Sequence, residues 1–301
     1  MRYNNLGHSD LKISEIGFGG MSLEGGASKA NIDLISEAFD HGINYFDTAD
    51  LYDKGLNEEL IGKAVHTFRD RIVLATKVGN EWRADGSGWD WNPRKDYILR
   101  MADKSLQRLK TDYIDVYQLH GGTIEDAIDE VIEAFELLVK AGKIKYYGIS
   151  SIRPNVFTPY LNKSNIASNM MQYSLLDRRP ERYFEIFKAH NTGIISRGSL
   201  AQGLLLDKKA KPYLGYEPGE IELLNADMEE LSRQLEVSKQ AIALAYVLQH
   251  DVVASAVVGI RTHNQMNGLW RAWRDLEKLR DQDFSMLLTD LRPIHYTDHL
   301  S

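Results

Sequence analysis

The chain contains no cysteine among its 301 residues. Disulfides, thiolate metal sites and a cysteine nucleophile are thereby excluded. Only seven prolines occur, scattered along the chain, and no Pro-, Gly- or Ser-rich linker divides it. One domain over residues 1–301 is therefore expected. No apolar run is long enough to span a bilayer, and the first residues, MRYNNLGHSD, lack the apolar core of a secretory signal. Basic residues are also in deficit: 36 Lys and Arg face 43 Asp and Glu, a net charge of −7. With no cationic excess to neutralise phosphates, nucleic acid is not expected as the main partner. A cytoplasmic protein acting on a small molecule is the default.

What the chain does have is apolar residues, 43% of the total, enough for a sizeable core. Short β-branched or aromatic runs alternate with longer amphipathic segments, the rhythm of βα units around a parallel sheet. Strands are predicted at Ile13–Phe18, Ile43–Thr48, Ile72–Val78, Ile114–His120, Tyr146–Ser150, Ser168–Gln172, Gly193–Ser196 and Ser255–Val258. The segment Thr123–Ala141 carries Ala127, Val131, Ala134, Leu137 and Leu138 at helical spacing, and Gly142 follows as a stop signal. Asn57 before Glu58 and Glu59 reads as a helix N-cap. Eight such units in an undivided chain predict a (β/α)8 TIM barrel, with a short N-terminal β-hairpin from the residues around Asn4 to Ser9 closing its bottom. Residues 84–92 read as a long loop, and Pro293–Ser301 as a loose tail. A Rossmann reading has one foothold, GFGGMS at Gly17–Ser22, and fails because Ser22 stands where the third glycine belongs.

In a barrel the chemistry belongs where strands run into βα loops. The second predicted strand ends at Asp47, with Tyr52 five residues on; the third carries Lys77 and the fourth ends at His120. Taken singly, each has an ordinary explanation: turn former, packing phenol, snorkelling amine, core imidazole. Together they face one mouth. A lysine buried there needs a carboxylate, which Asp47 supplies. The ammonium is expected to pull the Tyr52 phenol below its reference value of about 10 and make it a proton donor. A neutral His120 would donate a hydrogen bond to a carbonyl oxygen. Asp50 and Asp53 read as ordinary loop acids. The set suits carbonyl reduction but holds no hydride, so a cofactor must supply it.

The segments NYFDTADLYDKGLNEELIG, LATKVG, YQLH, KIKYYGISS, MMQYSLLDRR, SLAQGLLL and VVGIRTHNQ resemble, in order, the landmarks of the aldo-keto reductase superfamily, from Gly17 to about Gln265. The resemblance implies a (β/α)8 barrel binding NADPH/NADP without a Rossmann motif, and a catalytic tetrad at Asp47, Tyr52, Lys77 and His120. It places Gly20, Met21, Ser150, Ser151 and Gln172 around the nicotinamide. Arg197, Gly198, Ser199, Leu200 and Gln202 fall along the pyrophosphate, with Gly259, Arg261 and Gln265 at the adenosine 2′-phosphate. Asp47 is shared between the tetrad and the cofactor site.

The chain departs from the family pattern at Ser151 (usually Asn), at Ser196-Arg197 (often an aromatic) and at Gly268-Leu269 (usually Glu-Asn). It also reads Gly121-Gly122-Thr123 after His120. Trp82, Trp89 and Trp91 fall near the family's substrate pocket and are expected either to face a carbonyl substrate or to pack under their loop. Two alternatives to a reductase are an NADPH-occupied regulatory protein and a Schiff-base lyase using Lys77. A regulatory member is expected to carry an extra N-terminal segment, whereas this chain begins almost at the barrel.

Overall fold

Glu15 divides what the apolar pattern joins. The structure, a computed structural model, describes residues 1–23 and 26–297. In it, β1 (Tyr3–Asn5) pairs antiparallel with β2 (Lys12–Ser14), and the chain then bends at Glu15 into β3 (Ile16–Gly19). The single strand predicted over Ile13–Phe18 is thus two. The cause is the Glu15 carboxylate, which is buried and accepts hydrogen bonds from Arg280 at 2.7 Å and Trp273 at 3.2 Å. A buried charge held from two sides fixes the bend.

From β3 the strands run β4 (Tyr45–Asp47), β5 (Val73–Val78), then a two-stranded excursion of β6 (Asn80–Trp82) and β7 (Trp89–Trp91). They continue through β8 (Ile114–Leu119), β9 (Ile144–Ile149), β10 (Ser168–Gln172), β11 (Gly193–Arg197) and β12 (Val253–Gly259). The eight strands other than the two hairpins close into a parallel barrel, each beside its neighbour in chain order. This is the expected (β/α)8 architecture with its N-terminal hairpin. The β6–β7 hairpin corrects part of the long loop predicted at 84–92, whose residues 89–91 form a strand: Asn80 pairs with Trp91 and Trp82 with Trp89. Aromatic residues suit a half-exposed ribbon of this kind.

The helices around the barrel are α1 (Lys29–Asp40), α2 (Leu56–Val65), α3 (Lys95–Leu109), α4 (Ile128–Lys140) and α5 (Pro154–Lys163). They are followed by α6 (Phe184–Ala189), α7 (Pro218–Leu235), α8 (Lys239–Leu248) and α9 (His263–Asp275). The helix predicted from Thr123 begins only at Ile128, because Asp126 accepts from Thr123 at 2.8 and 2.7 Å and closes a separate turn first. Leu137, counted with the apolar stripe, lies on the exposed side.

Side-chain alternation sorts the core into two parts. Phe18, Phe46, Leu74, Val78, Tyr117 and Leu119 point out to the helices. Tyr45, Val73, Ala75, Val116, Met170 and Ile195 point inward and are plugged from below by Leu6, Leu11 and Ile13 of the first hairpin segment. On the same inward parity, one step nearer the mouth, stand Asp47, Lys77 and Gln118, all buried. The end of the chain is less loose than predicted: Tyr296 is buried, with its ring 6.0 Å from Tyr183. Residues 298–301 of that predicted tail lie outside the described residues. Among the described residues no helix is long and apolar enough to cross a membrane.

Candidate active site

Strand register brings the polar set together. Asp47, at the end of β4, lies opposite Ala75 of β5, and Lys77 lies opposite Gln118 of β8. His120 follows β8, its N–H donating to the Val78 carbonyl at 2.7 Å. Lys77 is 0% exposed. Its ammonium donates to Asp47 Oδ2 at 2.7 Å, the Thr48 carbonyl at 2.8 Å and Tyr52 Oη at 3.3 Å. Three hydrogens meet three acceptors.

The charge states follow from this packing. Burial is the largest single influence on Lys77 and works against its charge, but the Asp47 carboxylate and the Tyr52 oxygen together outweigh it and raise the amine above its ordinary value. For Asp47 burial raises the carboxyl more than Lys77 lowers it. The two directions favour different proton positions. The Thr48 carbonyl, 2.8 Å from Nζ, favours the ionised pair, since a carbonyl oxygen stabilises an ammonium more than a neutral amine. Tyr52 corrects an expectation. Its phenol is raised, not lowered: burial dominates, Lys77 opposes it, and Asp47 adds to the rise. Burial keeps the proton on the phenol, and Lys77 limits the cost of losing it. His120 stands edge-on to Tyr52, ring centroids 5.7 Å apart. Burial, then the Lys77 and Arg197 cations, push its imidazole down to about 3, so it is neutral at neutral pH.

Tyr52 sits on an unusual turn. Asp53, Lys54 and Gly55 all have left-handed backbone, with φ of 48°, 53° and 91°. For the two non-glycine residues this costs about 1–2 kcal/mol each. Three contacts hold the turn. Trp82 Nε1 donates to the Leu51 carbonyl at 3.2 Å, the Lys54 ammonium lies 5.1 Å from the Trp82 ring centroid, and Arg108 packs so closely on Gly55 that a Cβ there would meet it at 2.8 Å. Arg108 in turn donates to the buried Glu58 at 2.6 Å.

Asn57, predicted as the N-cap, is instead buried within the first turn of α2, which starts directly after Gly55. It donates to the Gly20 carbonyl at 2.9 Å and accepts from Thr48 at 2.7 Å, clipping β3 to β4 at the mouth. Asp50, read as an ordinary loop acid, is buried, and among the described residues no side chain hydrogen-bonds its carboxyl group. Burial, then the neighbouring Glu58 carboxylate, raise it well above the usual range, against the opposing Arg108 and Lys77 cations.

The three tryptophans separate. Trp82 braces the Tyr52 turn. Trp91 donates to Asp126 at 2.7 Å and lies against Gly79 and Gly121. Trp89 is exposed. Gly121 and Gly122 have φ of 141° and 140°, and a Cβ on Gly121 would meet Trp91 at 3.3 Å, so the family departure after His120 makes room for this hairpin.

On the far side of the mouth, Ser151 exchanges two backbone hydrogen bonds of 3.0 Å with the buried amide of Asn169, a residue that sequence reasoning passed over. Its signal was an asparagine at a buried position of a strand, beside Met170 and Met171. Ser150 adjoins it. Gln172 is engaged within the protein: it donates to Tyr213 Oη at 3.0 Å and accepts from Arg197 at 3.2 Å. Gly20 is buried and Met21 exposed at the end of β3.

Beyond Arg197 opens a cavity of about 1110 Å³, at the large end of ligand sites. Of the residues that the resemblance assigns to the cofactor, Gly198, Ser199, Leu200, Gln202, Gly259, Arg261 and Gln265 line it, and Gly20, Met21, Ser150, Ser151, Gln172 and Arg197 do not. Arg271 and Arg274, which sequence reasoning missed, line it too. Among the described residues neither they nor Arg261 has a carboxylate partner. Three unpaired guanidiniums in one groove suit a polyanion such as a phosphorylated dinucleotide, so the residues present fit the cofactor implied by the sequence.

Closed barrel and polar mouth define a (β/α)8-barrel enzyme. The model of the Aldo/keto reductase family matches residues 15–288. The oxidoreductase YqkF of Bacillus subtilis is 46% identical over the whole of both chains. L-galactose dehydrogenase of Arabidopsis thaliana is 28% identical over 91% of this chain and 88% of its own. Among solved structures, the holo form of aldo-keto reductase AKR11C1 from Bacillus halodurans covers 99% of each chain with 44% identity and a TM-score of 0.88. This chain belongs to the aldo/keto reductase family, oxidoreductases that use nicotinamide cofactors.

Proposed function

We propose that this protein is a cytoplasmic reductase of aldehydes or ketones that uses NADPH, with Tyr52 as proton donor. The observation that carries the reading is the Lys77 ammonium saturated by Asp47, Thr48 and Tyr52 at one barrel mouth. A nicotinamide bound beside the tetrad, with the rest of the dinucleotide in the groove, would supply the hydride. The protein does the rest. Neutral His120 and the Tyr52 phenol address the carbonyl oxygen; as that oxygen gains negative charge, Tyr52 passes it a proton, and the resulting phenolate is stabilised by Lys77, itself held by Asp47. Arg261 would hold the 2′-phosphate, and Gly198 to Gln202 the pyrophosphate. The Lys77 ammonium also weighs against the lyase alternative, since Schiff-base formation needs a neutral amine.

The test is a panel of aldehydes, ketones and aldoses with NADPH or NADH, alongside borohydride trapping. Carbonyl-dependent loss of NADPH absorbance without covalent labelling of Lys77 supports the reductase. Labelling of Lys77 with no cofactor consumption would overturn it. Tight NADPH binding with no turnover on any carbonyl favours the regulatory reading.

A further inference from the structure

Gly268 and Leu269 stand where the family pattern has a Glu-Asn pair, and the structure shows what replaces it. Leu269 is 0% exposed and turned into the core, so no contact to a ligand comes from it. Gly268 faces the cavity on the same stripe of α9 as Asn264 and Arg271, the spacing of residues stacked on one helix face. Across from its bare Cα lies Gln240 of α8: a Cβ at position 268 would stand 3.4 Å from Gln240 Oε1. Among the described residues the Gln240 amide has no hydrogen-bond partner, although it lines the cavity. Its backbone is nonetheless fixed. Ser238, the cap of α8, donates from its N–H and its hydroxyl to Asp275 at 3.0 and 3.1 Å, tying the start of α8 to the end of α9.

We propose that Gln240 reads the adenine of the bound dinucleotide through the gap that Gly268 leaves. This rests on reading the cavity as the dinucleotide site. A primary amide offers a donor and an acceptor side by side, the match for an adenine edge that presents an amino donor beside a ring-nitrogen acceptor. Arg261 at the neck of α9 faces the phosphate, so base and phosphate are read by different helices. The substitution at 268 is then a relocation of the adenine contact from α9 to α8.

The experiment titrates the full-length protein with NADPH, NADH and reduced nicotinamide hypoxanthine dinucleotide, in which a carbonyl replaces the adenine amino group, and follows binding by calorimetry. The wild type is expected to prefer NADH over the hypoxanthine analogue by roughly five- to tenfold, the lower part of the range for a bidentate amide–adenine pair. Gln240→Ala should weaken NADPH and NADH by the same factor and erase the preference for adenine. Gly268→Leu, which fills the gap, should do the same. Arg261→Ala should weaken NADPH alone and keep the adenine preference. An unchanged adenine preference in Gln240→Ala, with dinucleotide binding intact, overturns the assignment of Gln240. Failure of the wild type to bind either dinucleotide overturns the functional reading, and this proposal with it.

Discussion

The tetrad corner and the neighbouring groove treat their polar atoms in opposite ways. At the corner the cation is spent inside the protein: Lys77 has no hydrogen left, and the Tyr52 turn is braced by Trp82, Lys54 and Arg108. In the groove, among the described residues, three arginines and the Gln240 amide await partners. Chemistry demands fixed geometry before the substrate arrives, because stabilisation of developing charge is largest when the donors need not reorganise. Binding a polyanion demands the reverse, donors whose hydrogen bonds are completed by the ligand. Substitutions in the two regions should therefore separate turnover from affinity.

Tyr52→Phe should give the largest effect: turnover falling by roughly 10²–10⁴-fold, with NADPH affinity within about twofold by fluorescence titration. Unchanged turnover would remove Tyr52 from the chemistry. Lys77→Met comes next. It leaves Asp47 buried without its cation and should cost about 3–5 kcal/mol of stability in addition to activity. The double variant Asp47→Asn/Lys77→Met should recover much of that stability in denaturant melts while staying inactive. If activity returned with stability, the pair would be structural only. On the groove side, Arg261→Ala should weaken NADPH by roughly tenfold or more, as expected for a charge-assisted bond, and leave NADH nearly unchanged. Equal losses would mean that Arg261 does not read the 2′-phosphate.

The smallest effect belongs to Asp50. Its folded-state carboxyl is raised, so the folded protein holds a proton that the unfolded chain releases above its ordinary value of about 4. Its contribution is therefore fully present below that value and is lost as pH rises toward the folded-state value. Asp50→Asn keeps a neutral side chain at every pH. Its melting temperature should fall less steeply than that of the wild type between acid and mildly alkaline pH. Parallel curves would show that Asp50 is ionised in the fold.

Strand-end residues were the legible part of this site. Period-two alternation sends Asp47 and Lys77 inward, and a buried lysine needs an acid, so the pairing follows from sequence alone. The barrel followed from eight repeats with no linker. Where reading failed, a distant contact had overruled a local rule. Asn57 looks like a cap until Gly20 and Thr48 are seen to claim its amide. Asp50 looks solvated until it is seen buried beside the Glu58 carboxylate. Glu15 ends a strand because Arg280 and Trp273, some 260 residues away in the chain, hold its carboxylate. The direction of the Tyr52 shift failed for a related reason: charge is visible in a sequence, whereas depth of burial is not.

The hydrogen bond from Trp82 to the Leu51 carbonyl makes the β6–β7 hairpin more than a wall. The same indole steadies the backbone one residue before Tyr52, so under the proposed function the hairpin and the aim of the acid share one anchor. Selectivity and rate are then inherited together. A hairpin transplanted from a relative to change which carbonyls enter would also reset how well each is protonated, and tuning one without the other requires that the Trp82–Leu51 contact stay in place.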